Sequence, residues 1–262
     1  MNRSSSMAYD KSWSKIFKDY NIEGYNFSED GPYTLSASQI KKSCQDFDKT
    51  TEKEVRILCK QDSRADRPQI FIENNLFILP IKNGIYKIIK CEGYIDIPEI
   101  EEKTIIYNSK LDFKLDSSQI GNSEMQHLDF AYASSLIRTF MNDNSLVLTI
   151  RGRKYTPQFS FNVGDDIINV VSVQTEVDAG YEGRDKIVLI EAKNSKTNNT
   201  IIRQLFYPFR QWKHYTRKEV ILLFFEKRGS LFYIWQYGFS DANNYNSIKL
   251  IKAEKYLIED PV

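Results

Sequence analysis

The feature that most constrains this chain is the segment 186–193, where Ile187, Val188, Leu189 and Ile190 run without a polar break between Lys186 and Glu191. A strand with one wet face alternates apolar and polar residues. A short unbroken aliphatic run belongs to a strand covered on both faces, as in sheets flanked by helices. Residues 219–225 repeat the signal, with six consecutive apolar residues from Val220 to Phe225. No apolar run is longer, so none approaches the roughly 20 residues of a membrane-spanning helix, and no membrane partner is expected. With 262 residues, 41% of them apolar and 27% charged, the chain is long enough for one large or two small domains and too apolar for wholesale disorder.

Around this pair of buried strands the pattern gives an element order. Residues 1–10 are polar and read as a loose tail without the apolar stretch of a secretory signal. Residues 12–20 and 36–47 are expected as helices, the second capped by Ser36 or Ser38. Strand-like runs follow at 54–60, 69–72, 76–81 and, after an Asn83-Gly84 turn, 85–91. Pro98 and the acidic residues Glu99, Glu101 and Glu102 open a weaker stretch. A boundary is expected at its end, dividing an N-terminal α+β region (1–120) from a second domain (121–262). Ser123 can cap a helix from Glu124 to about Met141, with Met125, Leu128, Ala131, Tyr132, Leu136 and Phe140 on its apolar side. Strands are expected at 146–151, 158–161, 167–178 and 186–192, then a helix over 201–216 kinked or split by Pro208, then strands at 219–225, 231–237 and 248–251. The fold class is therefore α+β or α/β, a mixed sheet flanked by helices.

Charge falls in an informative place on this frame. On the strand ending at Asp178, a two-residue period puts Gln174, Glu176 and Asp178 on one face. On the next strand, Glu191 and Lys193 share a face at the end of the apolar run. Two neighbouring strands thus deliver carboxylates and an ammonium to one spot beside a core, where charge is costly unless paired or holding a cation. Such carboxylates suit Mg2+, which takes oxygen ligands and keeps several waters. A lysine two residues from a liganding glutamate can orient or deprotonate a metal-bound water and steady phosphate charge. Phosphodiester hydrolysis is the reaction that needs those parts.

In these residues the chain resembles the PD-(D/E)XK nuclease superfamily, and most of all its type II restriction endonucleases. The resemblance rests on Asp178, twelve intervening residues, then Glu191, Ala192 and Lys193, in the α-β-β-β-α-β order of the restriction-endonuclease-like core, and it covers residues 123–225. It implies that Asp178 and Glu191 hold Mg2+ and that Lys193 serves the nucleophilic water. Val177 stands where the superfamily name has proline, and Glu176 is a rival for the first carboxylate. Many members add an acidic residue from the preceding helix, which here leaves Glu124 and Asp129 as alternatives.

Other acidic-x-lysine tripeptides occur at 101–103 and 112–114, the second in an alternating, half-exposed setting. Gly84, Ile85 and Tyr86 followed by Tyr94, Ile95 and Asp96 are similar to the GIY-YIG nuclease signature. No arginine lies between Arg67 and Arg138 to complete it, so these residues read as a hairpin.

The net charge of +1 conceals a basic stretch: residues 193–218 hold seven Lys or Arg and no Asp or Glu. Within it Arg203, Tyr207, Arg210, His214 and Arg217 fall on one helical stripe by steps of three and four, suited to a nucleic-acid backbone. Two histidines, His127 and His214, are too few for histidine-built metal clusters. Cys44, Cys59 and Cys91, odd in number and widely spaced, argue against a disulfide framework and for a soluble, reducing, cytoplasmic setting.

The resemblance implies cleavage of double-stranded DNA at a specific sequence, with a protective DNA methyltransferase in the same cell. Two active centres on a twofold axis would cut both strands, so a homodimer is expected. The N-terminal region is expected as a winged-helix-like reader of the target. A structure-specific or repair nuclease of junction-resolvase type, and a DNA-binding scaffold that no longer cuts, are the alternatives.

Overall fold

A computed structural model of the chain describes residues 3–259. Its first unit comprises α1 (Arg3–Asp19), β1 (Tyr33–Ser36), α2 (Ala37–Cys44), the one-turn helices α3 (Thr50–Lys53) and α4 (Val55–Leu58), α5 (Gln69–Glu73), and the hairpin β2 (Leu76–Lys82) and β3 (Ile85–Lys90). Helix α1 takes in most of the segment expected as a tail, Met1 and Asn2 lying outside the described residues. Ser36 caps α2 with a full capping box, accepting from the Gln39 N–H while the Gln39 side chain accepts from the Ser36 N–H. Residues 54–60 and 69–72, expected as strands for their β-branched content, are instead helical at α4 and α5. Val55 and Leu58, three apart, bury one face of α4 against Trp13 and Phe17, and Phe71 does the same for α5. Tertiary packing overrides propensity there.

The antiparallel sheet of this unit has the order β1-β3-β2, and its two faces serve different cores. Leu76, Ile78 and Ile88 join Trp13 and the helices, whereas Phe77, Leu79 and Ile89 join the main core of the chain. The N-terminal unit is therefore bolted to the rest by one face of its own sheet.

The remainder holds β4 (Tyr94–Asp96), β5 (Ile105–Asn108), α6 (Glu124–Ala133), α7 (Leu136–Phe140), β6 (Val147–Tyr155), β7 (Phe159–Val163), β8 (Asp166–Val170), β9 (Gln174–Glu182), β10 (Lys186–Lys193), β11 (Asn199–Ile201), α8 (Arg203–Tyr215), β12 (Glu219–Arg228), β13 (Leu231–Phe239) and β14 (Ile248–Glu259). Among the described residues a seven-stranded mixed sheet runs β5-β14-β13-β12-β10-β9-β6. Within it β6, β9 and β10 are antiparallel neighbours, while β10 and β12 are parallel across the α8 crossover. The expected mixed sheet flanked by helices is present. Val188, Ile190 and Ala192 face α6 and α7, and Ile187 and Leu189 face α8. Covering both faces is what the aliphatic run required, each large side chain contributing about 1.5–3 kcal/mol.

Several details depart from the sequence reading. The helix expected from Glu124 to Met141 breaks at Ser134 and Ser135, where Ser135 adopts a left-handed φ of 65° and the Ser134 carbonyl accepts from the Tyr107 hydroxyl at 2.7 Å. The strand expected over 167–178 divides into β8 and β9, with Ser172 left-handed between them. Pro208 neither splits nor ends α8, which is continuous through it. The segment before residue 120 does not stay with the N-terminal unit: β4 pairs with β11, and β5 closes one edge of the large sheet against β14. Among the described residues no helix is long and apolar enough to cross a membrane, and the three cysteines are free thiols.

Candidate active site

The site forms where two strands part company. Pairing between β9 and β10 ends at Ala179 opposite Ile190, while β10 continues beside β12 as far as Lys193. The Ala192 N–H is therefore left without a strand partner on the β9 side, and Asp178 Oδ2 accepts from it at 2.8 Å. A register shift in the β6–β9 pairing, with Ile150 opposite Gly180 but Gly152 opposite Val177, turns β9 over at this point. Val173 and Val177 face the α8 core, and Ala179 and Tyr181 face the α6 core. The irregularity breaks the regular two-residue alternation expected for Gln174, Glu176 and Asp178, yet all three line one cavity.

Asp178, Glu191, Lys193 and Glu124 line one cavity of about 730 Å³. Lys193 Nζ donates to Glu191 Oε1 at 2.6 Å, and both side chains are largely buried. Burial, with Asp178 nearby, pushes the Glu191 carboxyl up to about 7, against the pull of Lys193. Burial likewise raises Asp178, partly offset by the Ala192 N–H and Lys193. Burial alone would lower the Lys193 ammonium, but the charge and hydrogen bond of Glu191 outweigh it and hold the group above its ordinary range. These groups carry a desolvation cost that one ion pair does not cancel, which is the electrostatic condition of a cation site. Among the described residues no three of His, Cys, Asp and Glu are grouped to hold a metal unaided. Asp178 and Glu191 present carboxylate oxygens, the donor type that a hard divalent cation takes.

The three candidates for an extra carboxylate lie in different surroundings. Glu124, at the start of α6, lines the cavity, and the loop before it is tied to the end of β10 by the Asn194 amide donating to the Asn122 carbonyl at 3.1 Å. Asp129 pairs with Arg151 away from that cavity. Glu176 reaches the rim, exposed and paired with Arg153 at 3.2 Å.

The basic stripe is not one open surface. Of its five residues, Arg203 enters the cavity, 3.7 Å from Asp62. Tyr207 is buried and gives its hydroxyl to the Pro80 carbonyl at 2.9 Å, because β2 covers that face of α8. Arg210 donates to the carbonyls of Ala242 (2.8 Å) and Ser160 (3.1 Å), with its guanidinium over the Phe159 ring. It fastens the β7–β8 hairpin and is not presented to a ligand. His214 and Arg217 are exposed at and beyond the end of α8.

Sequence reasoning missed the opposite wall, where Arg56, Cys59, Lys60, Asp62 and Tyr86 line the same cavity from the N-terminal unit. No local signal marks them, since they lie more than a hundred residues from Glu191 and meet it only through the docking of β2 and β3. The buried Thr175 hydroxyl, which donates to Gln211 Oε1 at 2.6 Å and so joins β9 to α8, was equally silent.

Residues 89–257 match the family described as "Domain of unknown function (DUF6997)", and residues 10–88 match "Domain of unknown function (DUF6996)". No curated protein matches the chain. A solved structure titled "Crystal structure of SSO0001" is similar at 17% identity and a TM-score of 0.21, over 43% of this chain. The chain spans 48% of that structure's length.

Proposed function

The chain belongs to the DUF6997 family, whose description assigns no activity, and we propose from the site itself that it is a Mg2+-dependent endonuclease of the PD-(D/E)XK, type II restriction kind, acting on double-stranded DNA. The observation that carries the reading is the convergence of Asp178, Glu191 and Lys193 in one cavity where β9 and β10 diverge. The order of α6, β6, β9, β10, α8 and β12, antiparallel up to β10 and parallel across the crossover, supports it. Asp178 and Glu191 would hold the ion, with Glu124 facing it from α6. When bound, Mg2+ supplies Lewis-acid polarisation of the phosphate and a more acidic water. Lys193, a cation throughout the neutral range, donates a hydrogen bond and positive charge to the attacking water or the phosphate oxygens; it is not the proton acceptor. Arg203 in the cavity and Arg153 at its rim are paired with Asp62 and Glu176, so the charge they offer a polyanion is partly offset.

The N-terminal unit supports the reading of a winged-helix-like target reader, through its helix–strand–helices–hairpin order and the β1-β3-β2 sheet. In this reading the protein acts as a homodimer in the cytoplasm, beside a protective methyltransferase. The test is incubation with long linear duplexes and with a branched junction, in Mg2+ and in EDTA. Discrete Mg2+-dependent duplex fragments are expected. Cutting of the junction alone would transfer the reading to a structure-specific nuclease, and binding without cutting of either would leave a DNA-binding scaffold.

A further inference from the structure

The cleft has two walls, and the charges on them are unequally committed. Its first cavity is lined by the carboxylates of Asp62, Glu124, Glu176, Asp178 and Glu191. A polyanion entering that space is repelled unless cations answer them. Lys193 is engaged with Glu191, Arg153 with Glu176 and Arg203 with Asp62.

Arg56 stands apart, and beside it stands Lys60, which shares Asp62 with Arg203. Both are exposed, and Arg56 makes no ion pair among the described residues. Lys60 lies 3.6 Å from Asp62 with 72% of its side chain exposed. They are four residues apart on and just beyond α4, whose opposite face is anchored by Val55 and Leu58 in the N-terminal core, so their direction is fixed by burial behind them. A second cavity of about 810 Å³ adjoins the first and shares Arg56, Lys60, Asp62, Glu124 and Lys193 with it, so the pair overlooks a continuous cleft. Asp62 lies within ion-pair range of Lys60 from one wall and Arg203 from the other, a carboxylate seated where an anionic oxygen is favoured.

We propose that Arg56 and Lys60 form a phosphate clamp on the N-terminal wall, gripping two backbone phosphates of the nucleic-acid strand that lies against Asp178 and Glu191. This inference rests on the nuclease reading for the identity of the polyanion, and it gives the N-terminal unit a backbone-holding role whether or not that unit also reads bases. Contacts of this kind are sequence-independent and appear in the salt dependence of binding.

The experiment is fluorescence anisotropy of a labelled random-sequence DNA duplex against NaCl concentration, in EDTA, with the full chain and two double variants. Each phosphate contact contributes about 0.9 to the slope of log K against log salt, so Arg56→Ala/Lys60→Ala is expected to flatten it by about 1.8. Lys110→Ala/Lys114→Ala removes the same charge from exposed positions outside both cavities and outside the N-terminal unit, and is expected to leave the slope as in the wild type. An unchanged slope in the first variant, an equal change in the second, or a wild-type chain that does not bind the duplex overturns the clamp. Cleavage by the wild type in Mg2+ is scored separately. A flattened slope without cleavage upholds the clamp and overturns the nuclease reading; cleavage with an unchanged slope does the reverse.

Discussion

Replacing Glu191 by glutamine should stabilise the metal-free protein at neutral and alkaline pH while abolishing its chemistry. The folded chain holds the Glu191 proton up to about pH 7, against 4.5 for an unperturbed carboxyl, because burial penalises the charge and Asp178 opposes it. A group raised in this direction contributes stability that is full below the unfolded value and is lost as pH rises through the folded one. Between 4.5 and about 7 the loss amounts to about 3 kcal/mol, at about 1.36 kcal/mol per pH unit. Glutamine keeps the shape without the charge, so Glu191→Gln and wild type should have matching stability near pH 4.5, and the variant should be more stable by about 3 kcal/mol at pH 8. Urea denaturation in EDTA across that range measures the difference directly. Added Mg2+ should then stabilise the wild type and leave the variant unmoved, since only the wild type keeps both carboxylates. A variant less stable than wild type at pH 8, or a difference that does not change with pH, would mean that burial does not hold the Glu191 proton.

Gly180 lies two residues from Asp178, and a Cβ there would stand 2.6 Å from that of Ile150; Gly180→Ala should cost about 1–3 kcal/mol by chemical denaturation, and the proposed nuclease activity should fall with it through displacement of Asp178. Asp62→Asn frees Arg203, which the clamp does not use, from a competing anion, so the salt slope of duplex binding should steepen by up to about 0.9, and a shallower slope would contradict the clamp geometry.

What the sequence made legible followed local periodicity. Ile187 to Ile190 announced a strand covered on both faces, and Val188 and Leu189 do face opposite cores. Asp178, Glu191 and Lys193 were legible for the same reason, being charges at the end of such a strand and on its neighbour. What was hidden depends on long-range contacts. Val55 and Leu58 read as strand residues until α1 offers them a surface. Tyr207 and Arg210 have the spacing of an exposed stripe, and only the arrival of β2 and the β7–β8 hairpin buries the one and engages the other. The turning of β9 at Asp178 comes from its pairing with β6, which no residue of β9 announces by itself. Arg56 and Lys60 acquire meaning only when the N-terminal sheet docks and carries them to the cleft.

Asp178, Glu191 and Lys193 are proposed to form a phosphodiester-cleaving centre. Its most direct test is the initial rate of duplex cleavage in Mg2+ by wild type and Lys193→Ala at matched DNA occupancy. The expected result is a loss of about 10²- to 10³-fold in the variant, the usual consequence of removing one preorganised donor, with duplex binding retained. Equal rates in the two proteins would place the chemistry away from Lys193.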